Sequence, residues 1–285
     1  MLCRCRAIAL LSLGFMLLPL SAHANETSAI QGKPAWPAAV EAHYSLRFNG
    51  IEVGRLKLKS DTTATSYALS ASAKVSVLFG AFKVSGASSV SGAIQKGAIT
   101  PEAYKFHWRR NKKLKRVVEI GFRDRIAEDV AIKPKPRVKS DTVPLKPDHK
   151  VGTVDPMSAV LMLTKADGRP PCDRRVEIFD GNQRYDIVLT PKHRVRLPPS
   201  SAGRRPEIGH VCRITYEPVA GYRDNEDTKA YTSNQNAEII LRVVPGSEML
   251  IPYAVNVPTK WGTGSMVAER IDVITTTAEK IAFTN

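Results

Sequence analysis

Period-two alternation of apolar and polar residues constrains this chain more than any other feature. Tyr44, Leu46 and Phe48 alternate with His43, Ser45 and Arg47. Successive side chains of a strand point to opposite faces, so such a run buries one face and wets the other. Asn49-Gly50 follows, a pair suited to a two-residue hairpin turn because both positions need positive φ. The return strand begins Ile51, Val53 and then changes phase to Leu56 and Leu58, which predicts a β-bulge near Gly54-Arg55. Tyr67, Leu69, Ala71, Ala73, Val75 and Val77 alternate again, and residues 84–94 read as a weaker strand rich in Ser, Gly and Ala. Tyr104, Phe106 and Trp108 alternate with Lys105, His107 and Arg109, turn through 110–113, and return as Leu114, Val118, Ile120 and Phe122. Further strands are predicted on either side of an Asp180-Gly181-Asn182 turn and at 212–216, 239–243, 249–257 and 267–273. One helix stands out near 155–165, with Asp155 at the N-cap, Pro156 at the first helical position and Met157, Val160, Leu161 and Leu163 on its apolar side. The expected fold is mainly β. It is a single large curved antiparallel sheet forming an incomplete barrel or β-spiral, with that short helix covering an end or open side.

The N-terminus predicts export. Residues 1–6 hold Arg4 and Arg6 and no acid, 7–20 are apolar, and Ala22-His23-Ala24 has the small-x-small form of a cleavage site. The apolar run is short of the roughly 20 residues a membrane-spanning helix needs. No later stretch spans, so a soluble periplasmic protein without a transmembrane segment is expected. The domain outline is a cleaved signal peptide at 1–24, an N-terminal arm at 25–42, one β-rich domain at 43–278 and a C-terminal tail at 279–285. Inside the domain, residues 133–150 form a basic, proline-rich loop unsuited to a central strand. Without the leader, Cys172 and Cys212 are the only thiols. Each shares parity with the apolar positions of its strand, and in an oxidising compartment the pair predicts one disulfide between neighbouring strands.

Net charge is +15, and losing Arg4 and Arg6 with the leader lowers it to +13. Such a charge suits an anionic partner. Export puts lipid headgroups and acidic envelope material ahead of nucleic acid. The candidate anion-contacting surface is Arg109, Arg110, Lys112, Lys113, Lys115 and Arg116, although parity separates these charges from the aromatics and favours the polar face of an amphipathic hairpin. His43, His107, His149, His193 and His210 have no metal-ligand spacing, and H-E-x-x-H and G-x-S-x-G are absent. No catalytic residue, cofactor or metal is assigned, and an enzyme is not expected.

Four stretches stand in order: YSLRFNGIEVGRLKL at 44–58, VDPMSAVLML at 154–163, CDRRVEIFDGNQRYDIVL at 172–189 and VCRITYEPVAGY at 211–222. With the paired cysteines, they resemble the exported bacterial family known as domain of unknown function 3108, over roughly 44–273. That family name implies no activity and transfers no catalytic residue. The chain is more loosely similar to envelope β-spiral proteins and Lol-type lipoprotein carriers. The likeness implies an incomplete barrel around an apolar cavity partly covered by helix, although the disulfide and the long basic loops depart from it. Candidate cavity lining is Tyr44, Leu46, Phe48, Tyr104, Phe106 and Trp108, with Met157 and Leu161 on the covering helix. Taken singly, each reads more readily as ordinary core. The leading expectation is a monomeric binding or carrier protein for a lipid-like or lipidated envelope component. The alternative is a non-enzymatic structural or interaction protein for envelope integrity, without a small ligand.

Overall fold

Alternating strands joined by two-residue turns build a meander, and the chain makes two of them. The structure, a computed structural model, describes residues 36–77, 80–201, 203, 205–247 and 249–284. The expected signal peptide at 1–24 and most of the expected arm lie outside the described residues. The first meander is β1 (Ala39–Phe48), β2 (Ile51–Thr62), β3 (Ser66–Val77), β4 (Phe82–Gln95), β5 (Ala98–Arg110), β6 (Lys113–Arg123) and β7 (Ile126–Lys133). After a long loop come α1 (Pro156–Thr164), β8 (Arg174–Phe179), β9 (Arg184–Leu197) and β10 (Glu207–Ala220). The chain ends with α2 (Glu226–Thr232), β11 (Glu238–Val243), β12 (Leu250–Thr259), β13 (Gly262–Ile274) and β14 (Lys280–Thr284).

All fourteen strands belong to one antiparallel sheet, which runs from β7 through β1 to β13 and on to β8. The two meanders join where β1 pairs β13, from Ala39↔Ile274 to Phe48↔Gly264. On its other side β13 pairs β12 with its first half and β14 with its second. The sheet curls until it is nearly closed. Residues 151–154 bridge the remaining gap. Gly152 N donates to Arg125 O at 2.9 Å beside β7, and Val154 N donates to Glu177 O at 3.0 Å on β8. The incomplete antiparallel barrel expected from the strand pattern is therefore the fold.

Local chemistry explains the turns. Asn49 and Gly50 have φ of 48° and 82°, and Asn111 and Lys112 repeat the double positive φ at the β5–β6 tip. The bulge in β2 lies at Val53. Leu46 pairs Gly54 while Arg47 pairs Glu52, leaving one residue extra beside the expected position. Asp180 holds the β8–β9 turn by accepting from Asn182 N and Gln183 N.

Several sequence expectations need correction. The supposed tail at 279–285 contains β14, because Ile281 and Phe283 alternate inward and are buried. The Arg242 guanidinium lies 4.8 Å from the Phe283 ring centre, a stacking that anchors this short strand. Residues 39–42 of the supposed arm are the first turn of alternation in β1, with Val40 and Ala42 buried. The 133–150 loop is pinned to the surface. Arg223 pairs with Asp141 at 2.7 Å, Val143 exchanges backbone hydrogen bonds with Gly221 and Tyr222, and Leu145 packs on the core. Cys172 and Cys212 form the disulfide, with Cα atoms 5.2 Å apart. They are not on neighbouring strands, since β9 lies between β8 and β10. A Cα separation near one strand spacing requires Cys172 to have left the ladder. It does so because β8 begins two residues later, at Arg174, and Pro191 of β9, opposite Cys212, has no N–H to donate.

Candidate functional site

Register turns the alternating pattern into rows of side chains. Across β2, β3, β4 and β5, one inward row is Leu58, Ala71, Ser88 and Phe106, and the next is Leu56, Ala73, Gly86 and Trp108. The rows between them face outward: Lys59, Ser70, Ser89, Lys105; then Lys57, Ser72, Ala87, His107; then Arg55, Lys74, Ser85, Arg109.

Along every strand of this half, inward positions change from buried to half-buried in the same direction. In β3, Tyr67 and Leu69 are buried and Ala71 to Val77 half-buried at alternate positions. Antiparallel β4 runs the other way, from half-buried Val84, Gly86 and Ser88 to buried Val90, Gly92 and Ile94. In β5, Ile99 and Tyr104 are buried, whereas Phe106 and Trp108 are half-buried. In β1, Val40, Ala42 and Tyr44 are buried, Leu46 half-buried and Phe48 exposed. The inner face of the sheet is thus fully buried toward one end and half-buried toward the other, where Phe106, Leu56 and Met266 pack against the edge of the core.

Helix α1 does the filling. Met157 and Leu161 pack with Tyr67, Leu69, Val90, Ile94, Ile99 and Tyr104. The Asp155 carboxylate caps the helix, accepting from Met157 N at 2.9 Å and Ser158 N at 3.0 Å. Ser158 Oγ donates to Asp155 Oδ2 at 2.5 Å and lies 2.7 Å from Tyr67 Oη. Burial raises the Asp155 carboxyl above its ordinary range. This Asp–Ser–Tyr cluster has nucleophile-like members but no solvent access, and its geometry is that of a helix cap tied to a strand.

The structure therefore separates the sequence-derived lining. Tyr44, Tyr104, Met157 and Leu161 are core, and Tyr44 Oη donates to Pro252 O at 3.1 Å. Leu46, Phe106 and Trp108 are half-buried, Phe106 against the edge of the core, and Phe48 is exposed at the end of β1. Of the basic hairpin, Arg109 faces outward in the rows above, and Arg110 lies 4.5 Å over the Phe82 ring. Lys112, Lys113 and Lys115 are exposed at the tip, and Arg116 is half-buried opposite Trp108.

Sequence reading missed the outer rows. They form a trough with serine and alanine along the floor and basic side chains on both walls. A hollow of about 540 Å³ lies over Lys57, Lys59, Ser70, Ser72, Lys105 and His107. A second, of about 1000 Å³, is lined by Arg55, Lys74, Lys83, Arg109 and Lys112 together with Glu52, Val53, Val75 and Val84. The Glu41 carboxyl is drawn down to about 2, first by its hydrogen bond to Lys57 and then by His43 and Lys59. Lys105 pairs with Glu119 at 3.3 Å. Among the described residues, Lys74, Lys83, Arg109 and Lys112 have no ion-pair partner. Only the alternation of Lys57 with Lys59 and of Ser70 with Ser72 hinted at this surface, and cross-strand register was needed to assemble it.

Among the described residues, no group of three or more His, Cys, Asp or Glu side chains is placed to hold a metal ion. No helix among them is long and apolar enough to cross a membrane. A family model described as Protein of unknown function (DUF3108) matches residues 43–269. Neither the curated proteins nor the solved structures yield a match.

Proposed function

The chain belongs to the DUF3108 family, and on that premise we propose that it is an exported periplasmic binding protein, without catalytic activity, for a lipid-like or lipidated envelope component. The observation that carries this reading is the burial gradient. Helix α1 closes one end of the barrel, while Leu46, Leu56, Phe106, Trp108 and Met266 stay half-buried on the inner face of the open end. An apolar concavity at a barrel mouth is a common place for an apolar ligand. Small side chains at Ala71, Ala73 and Gly86 leave depth between the Leu56–Leu58 and Phe106–Trp108 walls. The disulfide supports an oxidising compartment.

Trp108 supplies the test. A variant carrying Trp36→Phe and Trp261→Phe leaves it as the sole tryptophan. Titration with a bromine-labelled fatty acid is expected to quench it saturably, and Ala73→Phe, which fills the floor, is expected to abolish the quenching. Absence of quenching, together with no acyl chain in an organic extract of protein purified from its own envelope, would sink the proposal.

A further inference from the structure

Three hairpin tips and the ends of β3 and β4 gather at the half-buried end of the barrel. Asn49 N donates to Thr263 O at 2.9 Å, and Thr263 N donates to Asn49 Oδ1 at 2.8 Å, which ties the β1–β2 tip to the β12–β13 tip. Pairing of Gly54 with Val75 sets the β3–β4 end alongside. Asn111 N donates to Lys83 O at 2.9 Å, which adds the β5–β6 tip. Large apolar side chains project from this rim into water: Ile51 is 71% exposed, Trp261 67%, Leu114 52% and Phe48 39%. Exposed Tyr231 of α2 lines a small hollow with Trp261. Phe48, Tyr231 and Trp261 are the exposed aromatics among the described residues, and all three stand at this end.

A single exposed apolar residue is ordinary, but several spaced along one rim, from β6 to the β12–β13 turn, mark a docking surface. Cations stand between them. Arg47, Lys83, Arg110, Lys112, Lys113 and Lys115 are exposed and have no ion-pair partner among the described residues. The nearby acids are already engaged, Glu52 by Arg55 at 3.0 Å and Asp227 by Lys260 at 2.9 Å.

We propose that this rim seats the protein on an anionic phospholipid surface, with the apolar tips at headgroup depth and the basic side chains on the phosphates. Amphipathic aromatic side chains favour the membrane–water interface, and clustered Lys and Arg are attracted to anionic leaflets. A soluble polyanion would engage the cations alone and leave Ile51, Leu114 and Trp261 in water. The inference stands whether or not the concavity holds a ligand.

The test is flotation of the protein residues 25–285 with vesicles of phosphatidylcholine containing 30% phosphatidylglycerol, against pure phosphatidylcholine, in about 0.1 M salt, where charges are screened beyond about 10 Å. Partitioning at least tenfold stronger on the anionic vesicles is expected, with a blue shift of Trp261 emission. Ile51→Ser with Trp261→Ser, and separately Lys112→Glu with Lys113→Glu, are each expected to weaken it tenfold or more. Val138→Ser with Lys139→Glu, in the loop away from the rim, is expected to leave it unchanged. Circular dichroism and melting temperature check that each variant is folded, as expected for exposed turn, loop and strand-end positions. No partitioning, equal partitioning on both vesicles, or loss with the charge pair but not the apolar pair would overturn the proposal. The last result would indicate a polyanion site in its place.

Discussion

Removing the Cys172–Cys212 bond is the most quantitative perturbation this fold offers. The bond closes a loop with a sequence separation of 40. In the chain-entropy model such a closure lowers the entropy of the unfolded chain by about 13 cal/mol/K, or about 4 kcal/mol at 25 °C. Both sulfurs sit in a buried cluster with Leu189, Ile239, Leu241 and Leu250, so the native side contributes packing as well. The bond also tethers the segment leading into β8, a terminal strand of the sheet, to β10, two strands inward. With a urea m-value of about 3 kcal/mol/M, the expected fall in midpoint is about 1.3 M. The assay is urea unfolding of the oxidised protein, the reduced protein and the Cys172→Ala, Cys212→Ala double variant. The reduced and doubly substituted forms should agree with each other and lie below the oxidised form. A midpoint shift under about 0.3 M would refute the assignment of the bond as a major restraint on the unfolded chain.

Burial raises the Asp155 carboxyl, so the folded protein holds this proton at pH values where the unfolded chain has released it. Stability from this group is complete below the ordinary carboxylate pKa of about 4 and is lost as pH rises through the raised folded value. Asp155→Asn keeps an acceptor for Met157 N and Ser158 N and removes the titration. It should flatten the slope of stability against pH just above about 4, and an unaltered slope would contradict the assignment. Gly92→Ala places a Cβ 2.3 Å from Thr100 O and 2.6 Å from Tyr67 Oη. The expected loss is about 1–3 kcal/mol by chemical unfolding, and a neutral substitution would mean the β4–β5 register is misassigned. Leu161→Ala should cost about 2–5 kcal/mol, because its side chain is buried where α1 fills the barrel. A loss under about 1 kcal/mol would show that α1 does not close that end.

Much of the fold was legible because its signals are local. Asn49-Gly50 announces a turn, Asp155-Pro156 a helix start, and Tyr104, Phe106 and Trp108 a strand face. What escaped was marked weakly. β14 is five residues long, and its burial depends on β13 and on Arg242 behind Phe283. Helix α2 buries no side chain, so its sequence carries no apolar stripe to read. The lining residues shared one parity, yet Tyr44 and Tyr104 proved to be fully buried while Leu46, Phe106 and Trp108 are only half-buried. Parity says which face a side chain takes and nothing about how far along the strand the filling extends.

By itself the sequence determined that the chain alternates, where it turns, where its one strongly capped helix begins and which two cysteines share the parity of apolar strand positions. These are properties of neighbouring residues, set by a two-residue strand repeat and by the φ preferences of turn positions. Tertiary structure alone decided that β1 would close against β13, bringing His43 opposite Arg270. It also decided that α1 would fill one end of the barrel and leave the other open, that Lys59, Ser70, Ser89 and Lys105 would form one row, and that Ile51, Leu114 and Trp261 would share a rim. Those outcomes depend on long-range register, which arises only when distant strands meet.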